Sequence, residues 1–135
     1  MRVFLDTNIL ISAALYPKGK AAIAFYRAVG APNRGIVADY VLDEMRAVFH
    51  RKFSDKLDLL ESFITIASMT LEIVSTPEEP VDTEELIDDV KDRPILRTAV
   101  SANAEIMITG DDDLLRVADK IGRPKIMRVA EFLEI

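Results

Sequence analysis

The chain has 135 residues, 50% of them hydrophobic and 30% charged, and this balance excludes a disordered protein. Acidic residues outnumber basic ones by 23 to 17, and the net charge of −6 argues against a protein that coats nucleic acid by charge alone. There is no cysteine, which excludes a disulfide scaffold, a thiolate metal site and a cysteine nucleophile.

The length is that of one compact domain, residues 1–135, with a sizeable core. The first apolar run, Val3–Leu5, stops at Asp6 and is shorter than the apolar region of a signal peptide. No later stretch is long enough to span a bilayer. We therefore expect a soluble, cytoplasmic protein without a membrane partner.

Five short apolar and β-branched runs predict strands. They cover residues 2–6, 35–39, 71–75, 105–110 and 125–129. They lack polar alternation, as expected when a sheet is covered on both faces, and amphipathic helical runs separate them. The pattern predicts an α/β fold, a three-layer α/β/α sandwich with a central parallel five-stranded sheet.

The stretch 75–89 is the most loop-like part of the chain, with two prolines and a run of acids. Within it, Asp82 followed by Glu85 resembles a capping box, the pattern in which two side chains satisfy the free N–H groups of a first helical turn. A short helix is therefore predicted to begin at Asp82.

Two acids follow predicted strands directly. Asp6 ends the first strand and Asp111 follows the fourth. Ligand sites of open α/β sheets lie at the carboxyl ends of strands, near the point where strand order reverses. If the first and fourth strands are neighbours, an adjacency assumed from fold logic, these two carboxylates converge. Taken singly, each acid is more simply interpreted as a helix cap.

Two further acids border apolar helical stripes. After Asp39, the residues that face the sheet are Val41, Leu42, Met45, Val48 and Phe49. Steps of 100° put Glu44 at the edge of that stripe and Asp43 on the solvated side. Asp92 heads a second stripe, and Pro94 suits the first turn of that helix. The ordinary interpretations are a solvated charge for Glu44 and an N-cap for Asp92.

The four acids taken together indicate a metal-binding site, although each acid alone has an ordinary explanation. Independent caps have no reason to gather at one end of one sheet, and clustered carboxylates repel one another unless protons or metal ions neutralise them. Oxygen ligands without histidine or cysteine favour Mg²⁺ or Mn²⁺ over zinc. Such a site suits phosphodiester hydrolysis.

Four segments in order resemble PIN-domain ribonucleases. "FLDTNILISA" is similar to the opening motif of that family, and "YVLDEMRAVFHRKF" to the helix that carries its second acid. "DRPILRTAVSANAEIMITGDDDLL" resembles the segment of the third and fourth acids. The closing "KIMRVAEFLEI" is similar to the tail of a prokaryotic PIN branch of toxin components, and the chain as a whole resembles the VapC-type toxins. Together the segments span nearly the whole chain.

The resemblance implies an Mg²⁺- or Mn²⁺-dependent endoribonuclease, a toxin component with an RNA substrate and a cognate antitoxin. It implies catalytic and metal-binding acids at Asp6, Glu44, Asp92 and Asp111, with Asp113 as a further metal ligand. It also implies that Asn8 and Thr109 support these acids through hydrogen bonds. For these two residues, turn formation and strand propensity respectively remain open as alternatives.

Other polar residues near these motifs have ordinary explanations. Asp88, Asp89 and Asp112 are interpreted as surface charges, although Asp88 or Asp89 competes with Asp92 as the third acid. His50, the only histidine, is interpreted as a helix-end residue. Several basic residues adjoin the predicted site and are candidates for holding RNA phosphates, with solvated helix faces as the alternative. They are Arg46, Arg51, Lys52, Arg93, Arg97 and Arg116.

Two other functions compete with the ribonuclease. A phosphatase of the haloacid dehalogenase type also has an aspartate after its first strand and a late acidic motif. That family expects a second acid where this chain has Asn8, and it leaves Glu44 without a role. The other alternative is a non-catalytic PIN-fold scaffold or RNA-binding module, against which the presence of an acid at every motif position argues.

The segment 56–73 predicts contact with a second chain. Its apolar positions cover more than one helical face and include Leu57, Leu60, Phe63, Ile64, Ile66 and Ala67. Since toxins of the family commonly dimerise, we expect a homodimer. Deeper burial inside the monomer is the alternative.

Overall fold

A computed structural model describes all residues 1–135 and contains one sheet of five parallel strands. The strands are β1 (Arg2–Leu5), β2 (Arg34–Ala38), β3 (Glu72–Val74), β4 (Ile106–Ile108) and β5 (Lys125–Met127). Their order across the sheet is β3-β2-β1-β4-β5. The predicted α/β/α architecture and its five strands are confirmed, with strand ends that differ by one or two residues.

Seven α-helices connect and cover the strands. They are α1 (Thr7–Leu15), α2 (Lys20–Val29), α3 (Val41–Lys52), α4 (Leu57–Thr70), α5 (Arg93–Ser101), α6 (Asp112–Arg116) and α7 (Val129–Leu133). None of them combines the length and the apolar character that crossing a membrane requires.

One apolar core of 38 buried residues lies on both faces of the sheet. The central strands are almost wholly apolar because helices cover them on both sides. Gly35 on β2 has the closest surroundings of the five glycines, because a Cβ there would lie 2.8 Å from a Val29 side-chain carbon and 2.9 Å from a Leu71 side-chain carbon. Glycine is therefore the residue that lets the end of α2 approach the sheet at this point.

The segment between β3 and α5 contains two short 3-10 helices, Asp82–Leu86 and Val90–Asp92. The prediction of a short helix near Asp82 is correct, but the capping box is wrong, because Val81 is the N-cap and no side chain caps this turn. The turn instead buries Glu84, which is 2% exposed and pairs with Arg97 at 3.1 Å. This ion pair attaches the segment to α5.

Candidate active site

The carboxyl ends of β1 and β4 lie side by side, as the assumed strand adjacency requires. The two strands pair in parallel with Leu5 opposite Ile108, and the Asp6 N–H donates to the Ile108 carbonyl at 3.1 Å. The chain runs outward from β1 in one direction through β2 and β3, and in the other through β4 and β5. This reversal of strand order opens a crevice above the sheet.

A cavity of about 370 Å³ occupies that crevice. All four acids predicted to be catalytic line it, although they come from four separate segments of the chain. Its lining residues are Asp6, Thr7, Asn8, Tyr40, Glu44, Thr76, Lys91, Asp92, Pro94, Ile95, Asp111 and Leu114. The fold therefore brings Asp6, Glu44, Asp92 and Asp111 to one concave surface.

Asp6 is the most buried of these acids. It is 7% exposed, and its Oδ2 accepts a 2.7 Å hydrogen bond from the hydroxyl of the fully buried Thr109. Burial raises the pKa of Asp6, the hydrogen bond from Thr109 opposes that rise, and the charge of Asp111 adds to it. Thr109 Oγ1 also accepts from the Asp111 N–H at 3.0 Å, so this hydroxyl joins two of the predicted acids.

The simple helix-cap explanation fails for two of the three strand-end or helix-start acids. Asp6 and Asp92 occupy the N-cap positions of α1 and α5, but neither side chain makes a capping hydrogen bond. Asp111 does cap α6, since its Oδ1 accepts from the Asp113 N–H at 2.8 Å. The carboxylates of Asp6 and Asp92 are therefore available to the cavity.

The pKa of Asp92 is raised as well. Burial raises its pKa to about 6, and the neighbouring charge of Asp111 and a hydrogen bond to it contribute further. Asp89 and Asp113 add smaller effects of the same sign. These carboxylates repel one another, and a bound cation would relieve that repulsion.

Glu44 faces the cavity although much of its side chain is open to solvent. Burial of its carboxyl raises the pKa of Glu44, and the charge of Asp6 raises it further. Asp43 is exposed and does not line the cavity. Val41, Met45 and Phe49 are buried, so the burial of α3 follows the predicted stripe.

The closest group of carboxylates in the protein consists of Asp89, Asp92 and Asp113. One oxygen from each lies within 4.8 Å of the others, whereas no three of Asp6, Glu44, Asp92 and Asp111 approach so closely. Asp89 and Asp113 do not line the cavity, so Asp92 belongs to both arrangements. Asp113 also pairs with Arg116 at 3.1 Å.

Asp89 is exposed, in agreement with its interpretation as a surface charge, and the fold also brings it close to Asp92. The 3-10 helix Val90–Asp92 has three residues per turn, which brings Asp89 and Asp92 to the same side of the chain. The available signal was the three-residue spacing, but a 3-10 helix was not predicted there. Asp88 is exposed as well, and it lies 3.7 Å from Arg116 and outside this group of carboxylates.

Seven residues of the cavity lining were absent from the predicted site, and two of them, Tyr40 and Lys91, bear on its electrostatics. Tyr40 follows β2, and burial, together with the charges of Glu44 and Asp6, raises its pKa to about 12. It therefore keeps its proton at neutral pH. Lys91 is the one cationic residue in the lining. Tyr40 is the first residue of the segment that resembles the second-acid helix, and Lys91 directly precedes the third-acid segment. Neither belongs to the apolar stripe of its helix, and neither is an acid.

The remaining predicted residues divide by their contacts. Asn8 is exposed and lines the cavity but makes no hydrogen bond to the acids. His50 is exposed on α3 and lies outside the cavity. Arg97 is not a free phosphate-binding group, because Glu84 and the carbonyl oxygen of Pro77 hold it.

The donor set fits a hard divalent cation. It consists of carboxylates with no histidine or cysteine, and the pKa values of Asp6, Glu44 and Asp92 are all raised. Such oxygen donors are those that Mg²⁺ and Mn²⁺ prefer.

Comparisons with known proteins agree with this architecture. A sequence profile described as a PIN domain matches residues 2–113, a range that contains every acid of the site. No curated protein sequence matches significantly. Among solved structures, the chain is similar to one in the crystal structure of VapBC2 from Rickettsia felis bound to a DNA fragment from their promoter. The TM-score is 0.67 at 18% identity, over 95% of this chain and 98% of the other.

Proposed function

The chain belongs to the PIN domain family, and we propose from this premise that it is a metal-dependent endoribonuclease that hydrolyses RNA phosphodiester bonds. The observation that carries the proposal is the convergence of Asp6, Glu44, Asp92 and Asp111 on one cavity. A match over residues 2–113 to a family of nucleases, together with the place of Glu44 in the cavity, leaves the haloacid-dehalogenase alternative without support.

The metal ligands are drawn from the acids of the cavity and its margin. Asp6, Glu44, Asp92 and Asp111 would hold Mg²⁺ or Mn²⁺, with Asp113 contributing beside Asp92. When bound, such an ion supplies electrostatic stabilisation of the charge that develops at the phosphate in the transition state.

Other residues of the chain orient these acids and the substrate. Thr109 holds the Asp6 carboxylate through its 2.7 Å hydrogen bond and restrains the backbone of Asp111. The Tyr40 hydroxyl, protonated at neutral pH, can donate a hydrogen bond to a phosphate oxygen in the cavity. Lys91 attracts the same phosphate by its charge, and the amide of Asn8 is free to contact the substrate.

We further propose that the protein is the toxin of a toxin-antitoxin system and acts in the cytoplasm. The sequence resemblance to VapC-type toxins supports this role. The fold shared with a chain of the VapBC2 complex supports a cognate antitoxin as a protein partner. A homodimer is the oligomeric state that we propose.

The proposal is tested by incubating purified protein with single-stranded RNA in Mg²⁺, in Mn²⁺ and in EDTA. We expect internal cleavage with either metal ion and none in EDTA. Asp6→Asn should cleave at least about a hundredfold more slowly, because it removes a charge directed at the cation. Equal cleavage by Asp6→Asn would point to a contaminating nuclease, and RNA binding without cleavage by the wild type would favour the non-catalytic module.

A further inference from the structure

A second cavity lies beside the acidic one. Its volume is about 490 Å³, and it lies between α1, the turn into α2, the end of β4 and the start of α7. Its lining residues are Ile9, Ser12, Tyr16, Gly19, Lys20, Ala21, Thr109, Gly110, Arg128, Val129 and Ala130. The proposed reaction gives this cavity no role.

The two cavities adjoin at two places. Thr109 lines the second cavity, and its hydroxyl holds Asp6 of the first at 2.7 Å. On α1, Asn8 lines the acidic cavity and the next residue, Ile9, lines the second. An RNA strand bound across the acidic cavity can therefore also reach the second cavity.

The chemistry of the second cavity differs from that of the first. No acid lines it, its walls are mainly apolar, and the side chain of Tyr16 stands at its edge with the residue 65% exposed. Lys20 and Arg128 bring positive charge to the rim. Lys20 has no carboxylate within 4.0 Å, and Arg128 has only a distant contact, 3.5 Å, to the exposed Asp112.

We infer that this cavity holds an unpaired nucleotide next to the scissile phosphate of the RNA, with its base against Tyr16 and its phosphates near Lys20 and Arg128. The inference rests on the proposed nuclease function. Aromatic side chains stack on unpaired bases, and cationic side chains follow the backbone of a single strand. The volume also falls in the range of cavities that hold small ligands.

The test measures binding of a labelled single-stranded RNA to the Asp6→Asn protein in Mg²⁺, by fluorescence anisotropy. Adding Tyr16→Ala should raise Kd by about tenfold or more, whereas Tyr16→Phe, which keeps the ring, should leave Kd nearly unchanged. Lys20→Gln should raise Kd and reduce the slope of log K against log salt by about one. An RNA duplex of the same sequence should bind more weakly, because its bases are already stacked.

Matched controls on other surfaces separate this site from general effects. Ile135→Ala shortens an apolar side chain that is 66% exposed and lies outside this cavity, and Lys125→Gln changes an exposed lysine at the amino end of β5. Both should bind RNA like the parent. Melting temperatures of all variants establish that each is folded.

The outcomes distinguish this inference from the nuclease proposal. If the wild type cleaves RNA but Tyr16→Ala and Lys20→Gln bind it like the controls, the cavity is not a nucleotide site, and a protein segment becomes its better occupant. If RNA binds through Tyr16 and Lys20 but the wild type never cleaves, the nuclease proposal fails and the nucleotide site stands. A protein that neither binds nor cleaves RNA overturns both.

Discussion

The burial of Asp6 indicates a role in binding a cation. A carboxylate at 7% exposure loses most of its hydration, and Thr109 restores only part of that loss through one short hydrogen bond. The hydration that is not replaced raises the pKa of Asp6, and the charge of Asp111 raises this pKa further. A capping role does not account for the burial, because the side chain makes no capping bond. The binding of a cation by this carboxylate would account for its burial.

Glu44 and Asp43 form a matched pair for testing which acid of α3 acts. Glu44→Gln should lower the rate of RNA cleavage at least about a hundredfold, because it removes a negative charge that lines the cavity. Asp43→Asn should cleave within about twofold of the wild type, since Asp43 lies outside the cavity. Single-turnover cleavage assays measure both. Equal losses in the two variants would mean that the cavity does not define the active site.

Asp92 makes the stability of the metal-free protein depend on pH. Its pKa is about 6 in the folded protein against an ordinary 3.8, so between these values the folded state binds more protons than the unfolded chain. The free energy of unfolding then falls as pH rises through this interval. In EDTA, we expect a higher melting temperature at about pH 5 than at about pH 7.

Variants that remove the charge of one aspartate serve as controls for this pH dependence. Asp92→Asn should reduce the difference between the two melting temperatures, while Asp43→Asn should show the wild-type difference. Identical pH profiles for the wild type and Asp92→Asn would show that Asp92 does not carry a raised pKa.

At the level of elements, the 3-10 turn Asp82–Leu86 is anchored through an ion pair. Both Glu84 oxygens accept from Arg97 at 3.1 Å, and the Arg97 side chain is 16% exposed. Arg97 also donates to the Pro77 carbonyl at 3.0 Å. The pair therefore joins α5 to the segment that leads towards Asp89 and Asp92.

Removing one partner of this pair should destabilise the protein strongly. Glu84→Gln leaves the largely buried Arg97 without its counter-charge, and we expect the free energy of unfolding to fall by about 3 kcal/mol. Glu79→Gln, at an exposed position of the same segment, should change it by less than about 0.5 kcal/mol. Urea denaturation measures both values. A Glu84→Gln protein as stable as Glu79→Gln would show that the pair contributes little.

For the whole molecule, the acidic cavity predicts stabilisation by metal ions. Mg²⁺ or Mn²⁺ should raise the melting temperature of the wild type, because a ligand that binds only the folded state stabilises it. Asp6→Asn and Asp92→Asn should lose most of that rise, while Asp43→Asn should keep it. Thermal scans across a metal titration provide the measurement. The same rise in all four proteins would place the cation elsewhere.

Oligomerisation is the second property of the whole molecule. Leu60, Phe63, Ile64 and Ala67 of α4 are buried inside the monomer, so the apolar excess of this helix is largely accounted for. Other apolar side chains near α4 remain exposed, Met69 at 81%, Tyr26 at 50% and Ile23 at 49%. Tyr26 lines a small cavity between α1, α2 and α4, and we propose that a second copy of the chain covers this cavity together with Ile23 and Met69.

Sedimentation equilibrium at micromolar concentration tests the dimer. We expect about twice the chain mass of 15.1 kDa for the wild type and a shift towards monomer for Met69→Lys. Ile135→Lys, a comparable change at an exposed residue outside this surface, should sediment as the wild type. A single species at the chain mass for the wild type would refute the dimer.

The sequence by itself determined those features that depend on neighbouring residues. Strand and helix periodicity identified the five strands and the buried face of α3, because side-chain direction repeats with the local backbone geometry. The apolar run before Asp6 likewise placed that acid at a strand end. The order of the motifs identified the family to which residues 2–113 match.

Only the tertiary structure decided which distant residues meet. Contacts between separate segments place β1 beside β4 and bring Tyr40 and Lys91 into the cavity. Such contacts also bring Asp89 close to Asp113. The pairing of Arg97 with Glu84 likewise depends on how the segment after β3 packs on α5. Local patterns carry no information on such contacts, because the same helix or strand can pack against different neighbours. The acidic residues of the cavity can therefore be recognised in the local sequence, whereas packing decides which residues line the cavity together.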